Sequence, residues 1–170
     1  MKSKPILGII MGSDSDLPTM QQTAKVCEEF SIPYEITVAS AHRTPNFTKE
    51  YCTTAHKRGI KVIIAGAGGA AHLPGVAASF TPLPVIGVPI QTKALGGIDS
   101  LLSIVQMPAG IPVATVAIGN GKNAGLLAVE ILAVHNKSLL KKIQNYKKKL
   151  AEESLAKNKK LKRILTDINI

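Results

Sequence analysis

Three short stretches hold residue types that can bind an anion and move a proton. The first is Gly12-Ser13-Asp14-Ser15-Asp16, a small polar run directly after the apolar Ile9-Ile10-Met11. Where a strand ends and a helix begins, free backbone N–H groups and the positive end of the helix dipole make a phosphate site. Ser13 can donate a hydroxyl to a phosphate. Asp16 would be repelled by one and suits a ribose hydroxyl better. Plain helix capping accounts for the same residues, so this stretch alone does not decide.

The second stretch, Ser40-Ala41-His42-Arg43-Thr44-Pro45, is more specific. Arg43 offers a forked donor for phosphate or carboxylate. His42 can give and take a proton near neutral pH. The competing account is a histidine that caps a helix or packs on Pro45. The third stretch runs from Ala65 to Gly75 and is built almost wholly of Gly and Ala up to His72-Leu73-Pro74. Its G-x-G-x-x-A spacing superficially fits a dinucleotide fingerprint. However, it follows the third strand-like segment rather than the first, and residues 85–90 lack the acid such a site needs. The alternatives are a backbone that must come very close to a flat ligand, or tight packing of strand on helix.

Other chemistries find no support. His56 and His135 sit inside helix-like segments without partner motifs, and no His, Asp or Glu pair has metal-ligand spacing. No Gly-rich loop is followed by Lys-Ser/Thr, and no G-x-S-x-G is present. Cys27 and Cys52 lack a CxxC arrangement and read as reduced thiols of a cytoplasmic protein. From the residues alone, the site is one for a polyanionic small molecule such as a sugar phosphate, with His42 as the acid–base group. An enzyme and a nucleotide-sensing module both stay open.

The elements that must position these stretches alternate. Strand-like runs cover Pro5–Met11, Ile32–Ala39, Val62–Ala65, Pro84–Val88 and Pro112–Ile118. Helix-like runs lie between them, up to about Phe30, over Pro45–Arg58, Leu73–Ser79 and Ser100–Gln106, and a long last one from Asn123 through Leu150. This alternation predicts βαβ units and an α/β fold: a three-layer, doubly wound parallel sheet, flavodoxin-like or Rossmann-like, in a single domain. Ligands of such folds sit beyond the carboxyl ends of the strands, where the three stretches fall. The domain spans 1–150 with its last helix, and 151–170 form a basic tail, partly helical or frayed.

The formal charge of +10 over 170 residues raises the question of a nucleic-acid partner. The charge is uneven: residues 1–136 hold 10 Lys/Arg and 8 Asp/Glu, net +2, and residues 137–170 hold 11 and 3, net +8. The basicity thus belongs to one amphipathic C-terminal helix, read as a solvated lysine face, and argues against nucleic acid as the main partner. With 4% aromatic residues there is no set of stacking platforms either. No apolar run reaches the roughly 20 residues that span a bilayer, and the lysine-bearing start does not read as a signal peptide.

At the three stretches the sequence closely resembles the N(5)-carboxyaminoimidazole ribonucleotide mutase family. The matching motifs are residues 11–16, 40–45 and 65–75, with further matches at Gly87-Val88-Pro89, 97–101, 103–108, Gly110-Ile111-Pro112-Val113 and Ala117-Ile118-Gly119. The resemblance covers about residues 6–135. It implies a flavodoxin-like domain, a cytoplasmic homo-octamer, and a cofactor-free, metal-free isomerase of purine biosynthesis. Such an enzyme moves a carboxylate from the exocyclic nitrogen of its ribonucleotide substrate to ring carbon four. By the same resemblance, Ser13, Asp16 and Arg43 bind the ribose phosphate region, with backbone help from Gly12 and Ser40. The Ala67–Gly68 backbone, His72 and Leu73 line the imidazole and carboxylate pocket, and His42 is the catalytic residue. A related branch that carboxylates aminoimidazole ribonucleotide directly with carbon dioxide is the alternative. Two departures from the family pattern lie outside the site: Gly97 in place of Ser, and a shortened loop at Gly119–Asn123.

Overall fold

A computed structural model of the chain describes residues 4–167. The chain divides after Leu132 into two compact units. The first is an α/β domain whose five strands are β1 (Leu7–Met11), β2 (Tyr34–Val38), β3 (Val62–Ala67), β4 (Val85–Pro89) and β5 (Ala114–Thr115). All pair in parallel, in the order β2-β1-β3-β4-β5. This is the flavodoxin-like order, with its switch point between β1 and β3. The helices are α1 (Leu17–Phe30), α2 (Pro45–Arg58), α3 (Leu73–Phe80), α4 (Ile98–Val105) and α5 (Gly121–Ala133), and a single 3-10 turn at Asp14–Asp16 precedes α1.

The central strands are apolar on both faces because helices cover both. Every residue of β1, β3 and β4 is buried. Ile10, Ile63 and Ala65 join one core with Cys52 and Ala55 of α2, Leu73 and Ala77 of α3 and Ile104 of α4. On the other face, Met20 of α1 lies directly against Gly66. Thr23 of α1 donates a buried 2.8 Å hydrogen bond to the Gly121 carbonyl, joining α1 to the start of α5. Burying these side chains at roughly 25 cal/mol per Å2 of apolar surface is the main source of stability.

The expected elements are all present, with three corrections. The segment expected as a strand over Pro112–Ile118 forms only a two-residue strand. It lies at the sheet edge, and Pro112 has no N–H to contribute. The helix expected to start at Ser100 starts at Ile98. The helix expected from Asn123 through Leu150 is two helices, α5 and α6 (Lys137–Asp167). The break is a capping event: the Asn136 side-chain carbonyl accepts the Leu139 N–H at 3.0 Å, and its backbone carbonyl accepts that of Leu140 at 2.8 Å.

The second unit comprises α6, which stays helical to Asp167. Residues 168–170 of the expected basic tail lie outside the described residues. Exposed Leu150 and Leu155 alternate along α6 with exposed lysines such as Lys148 and Lys149. Lys148 and Glu152 form an i,i+4 ion pair on its surface at 3.9 Å.

A Cβ added at Gly121 would collide with the Thr19 main-chain oxygen, an atom that no rotamer change can move aside. Gly121→Ala is therefore expected to destabilise the domain by about 1–3 kcal/mol. A fall in the urea midpoint without a change in m value would be the sign of it.

Candidate active site

The loops that follow β1, β2, β3 and β4 meet at the carboxyl end of the sheet around one open cavity of about 450 Å3. All ten residues singled out from the sequence line it: Gly12, Ser13, Asp16, Ser40, His42, Arg43, Ala67, Gly68, His72 and Leu73.

The first loop is held by its own polar atoms. Ser13 caps the 3-10 turn: its hydroxyl accepts the Ser15 N–H at 3.3 Å, and its N–H donates to Asp16 at 3.2 Å. Capping and site formation therefore use the same residues. Asp16 is buried, with 8% exposure. Burial pushes its carboxyl above the ordinary value, against the N–H groups of Ser13 and Gly12, the Ser15 hydroxyl and the charge of Arg43. The result is an oriented carboxylate at the cavity wall.

The second loop turns around Ser40. Its hydroxyl accepts the Arg43 N–H at 3.2 Å and Arg43 Nε at 3.4 Å. Arg43 Nη2 donates to the Gly12 carbonyl at 2.9 Å, which ties the loop after β2 to the loop after β1. This leaves guanidinium donors at the cavity rim, where an anion can take them. Pro45 at the start of α2 fixes where the loop ends.

In the third loop, small residues permit close approach. Gly68 lies against Ile90, and Gly69 has φ +66°, a conformation that favours glycine. His72 and Leu73 open α3. Leu73 belongs to the core at 2% exposure and still borders the cavity, and His72 is exposed beside it. His42 Nε2 stands 2.6 Å from His72 Nδ1.

Sequence reasoning missed a fourth contribution. Ile90, Gln91 and Thr92, just after β4, also line the cavity, together with Ser15, Ala41 and Ala71. The rule that placed the first three loops at the strand ends applies equally to β4, so the signal was available. A buried residue that does not line the cavity organises this side. Ser100 Oγ accepts the Gly69 N–H at 2.9 Å and donates to the Ile90 carbonyl at 2.7 Å. Thr92 donates its hydroxyl to Asp99 at 2.9 Å, so the start of α4 braces two loops at once. Among the described residues, no group of three or more His, Cys, Asp or Glu is placed to hold a metal ion.

The chain is similar to known proteins over most of its length. The AIR carboxylase family model matches residues 6–153. The chain is 66% identical over 160 residues to the N5-carboxyaminoimidazole ribonucleotide mutase of Synechocystis, covering 94% of this chain and 91% of that one. It is 62% identical over 162 residues to the protein of that name from Pyrococcus horikoshii, covering 95% and 92%. The crystal structure of Treponema denticola PurE superposes with a TM-score of 0.85 at 28% identity, covering 92% of this chain and 98% of that one. With a flavodoxin-like sheet, the three motif loops around one cavity and matches over nearly its whole length, the chain belongs to the AIR carboxylase family.

Proposed function

We propose that this chain is an isomerase of purine biosynthesis that converts N(5)-carboxyaminoimidazole ribonucleotide to 4-carboxy-5-aminoimidazole ribonucleotide. The observation that carries the reading is the convergence of Arg43, His42 and the Gly/Ala loop on one cavity. These parts answer the three demands of the reaction: anion binding, proton transfer and close containment. The mutase name of the Synechocystis and Pyrococcus relatives supports this reading over direct carboxylation.

The bookkeeping needs two proton transfers. As the C–N bond breaks, carbon dioxide leaves and the amine nitrogen takes a proton from His42. Carbon four then attacks the carbon dioxide, a C–C bond forms, and carbon four returns its proton to His42. The group ends as it began, so one histidine serves as acid and then base. Carbon dioxide must not escape between the steps, and the close Gly/Ala wall at Ala67–Gly68 favours its retention. Arg43, Ser13 and Asp16, with the backbones of Gly12 and Ser40, hold the ribose phosphate region. His72 and Leu73 line the base. The chemistry asks for no cofactor.

The same reading makes the protein a cytoplasmic homo-octamer. In support, Cys27 and Cys52 are buried free thiols, and no helix among the described residues is long and apolar enough to cross a membrane. Ile36 and Val38 on the edge strand β2, with Phe47, are 39%, 46% and 47% exposed, an apolar patch suited to burial between copies.

Three outcomes follow. His42→Asn is expected to lower kcat by about 100- to 10,000-fold; normal turnover would end the assignment of His42. Arg43→Leu is expected to raise KM by about 10- to 100-fold with a smaller change in kcat, as for a charge-assisted anion contact. Light scattering of the full chain is expected to read eight copies.

A further inference from the structure

Two serines of α4 grip one residue at the tip of the Gly/Ala loop. Ser100 Oγ accepts the Gly69 N–H at 2.9 Å, and Ser103 Oγ lies 3.3 Å from the Gly69 carbonyl. The serines are three positions apart and so stand on one face of the helix. Ser100 is completely buried, and its own proton goes to the Ile90 carbonyl at 2.7 Å. One hydroxyl thus joins the loops after β3 and β4. Ser103 shares its single proton between Gly69 and the Asp99 carbonyl, 2.8 Å away in its own helix, and is the weaker hold.

The backbone shows what this hold does to the cavity wall. A Cβ at Gly69 would meet nothing within 4 Å, so hydrogen bonds rather than packing fix the tip on that side. Three polar groups along the wall already have partners. The Ala67 carbonyl accepts the Ile90 N–H at 2.9 Å, the Gly68 carbonyl accepts the Ala71 N–H at 3.3 Å, and the Gly69 N–H goes to Ser100. A peptide whose N–H and C=O are both taken offers little to water. The wall at Ala67, Gly68 and Ala71 is left as methyl and methylene groups. Carbon dioxide is neutral and has no proton to donate, so such a wall can hold it while excluding water.

We infer that Ser100, backed by Ser103, is a positioning residue that keeps carbon dioxide in the site between the two halves of the reaction. This deepens the reading above and rests on it, since there the carboxylate travels as carbon dioxide. Without the Ser100 hydroxyl, the Gly68–Gly69 peptide is free to turn and admit water, and the Ile90 carbonyl loses a partner. Carbon dioxide then leaves before carbon four attacks it. In that escape the C–N bond is broken, the amine nitrogen keeps the proton from His42, and His42 takes a new proton from solvent. The products are aminoimidazole ribonucleotide and free carbon dioxide.

The test gives the full chain N(5)-carboxyaminoimidazole ribonucleotide in buffer with isotopically labelled bicarbonate. It measures the released aminoimidazole ribonucleotide and the labelled share of the carbon-carboxylated product, with breakdown in the absence of protein subtracted. Ser100→Ala is expected to raise both about 10-fold or more, with KM within about 3-fold because the ribose phosphate contacts lie in other loops. Ser103→Ala is expected to raise both about 2- to 5-fold. Gly121→Ala, which weakens the domain away from the cavity, is expected to raise neither. A folded Ser100→Ala with the product ratio of the unsubstituted protein overturns the inference, even if its kcat falls. An equal rise in Gly121→Ala does the same. Should Ser100→Ala not fold, an unchanged ratio in Ser103→Ala decides against it. If the unsubstituted protein forms no carbon-carboxylated product, the underlying reading falls and the inference with it. If it forms product and Ser100→Ala matches its ratio, only the positioning role falls.

Discussion

At the carboxyl end of the sheet, β1 and β3 come together over glycine. Gly66 pairs with Met11, its carbonyl accepts the Gly12 N–H at 3.2 Å, and Met20 of α1 occupies the space where a side chain at 66 would go. A side chain there would have to displace the buried Met20 side chain that packs α1 onto the sheet. The other loops are fastened to this junction in turn. Arg43 reaches the Gly12 carbonyl from the loop after β2, and the Ile90 N–H reaches the Ala67 carbonyl from the loop after β4. The cavity is therefore a consequence of strand order and of small residues at the strand ends.

Two serines turn that junction into a rigid site. Ser40 and Ser100 are both buried, and each spends its hydroxyl on backbone or side-chain groups of the loops rather than on solvent. A buried hydroxyl without partners would cost about 1–3 kcal/mol, so the bonds that satisfy these serines also hold the loops in place. Asp16 follows the same logic at higher stakes. Its buried carboxyl is opposed by desolvation and supported by loop N–H groups and Arg43, and this ties its ionisation to the shape of the loop. Rigidity of this kind fits a reaction in which a small, neutral intermediate must not diffuse away.

Much of the fold and site was legible in the sequence, for physical reasons. Continuous apolar runs such as Ile6–Met11 and Val62–Ala65 mark strands buried on both faces, and parallel sheets send their ligands to the strand ends. Those two facts are enough to bring Ser13, Asp16, His42, Arg43 and Gly68 to one place from the sequence alone. What could not be read was set by tertiary context. The Val134-His135-Asn136 break does not disturb the apolar spacing; it depends on Asn136 turning its side chain onto the next helix. β5 is cut to Ala114–Thr115 by its edge position. Ser100 looks like an ordinary helix residue until the Gly69 loop is folded against it. The His42–His72 contact joins two loops whose separation in sequence carries no spacing signal.

In the proposed reaction one cavity performs both halves of a carboxylate transfer without outside carbon or energy. The most direct test supplies purified protein with N(5)-carboxyaminoimidazole ribonucleotide and a chelator, with neither ATP nor added bicarbonate. Rapid formation of the carbon-carboxylated product is the predicted result. No conversion under those conditions, with product appearing only from aminoimidazole ribonucleotide and high bicarbonate, would contradict the account and assign the chain to direct carboxylation.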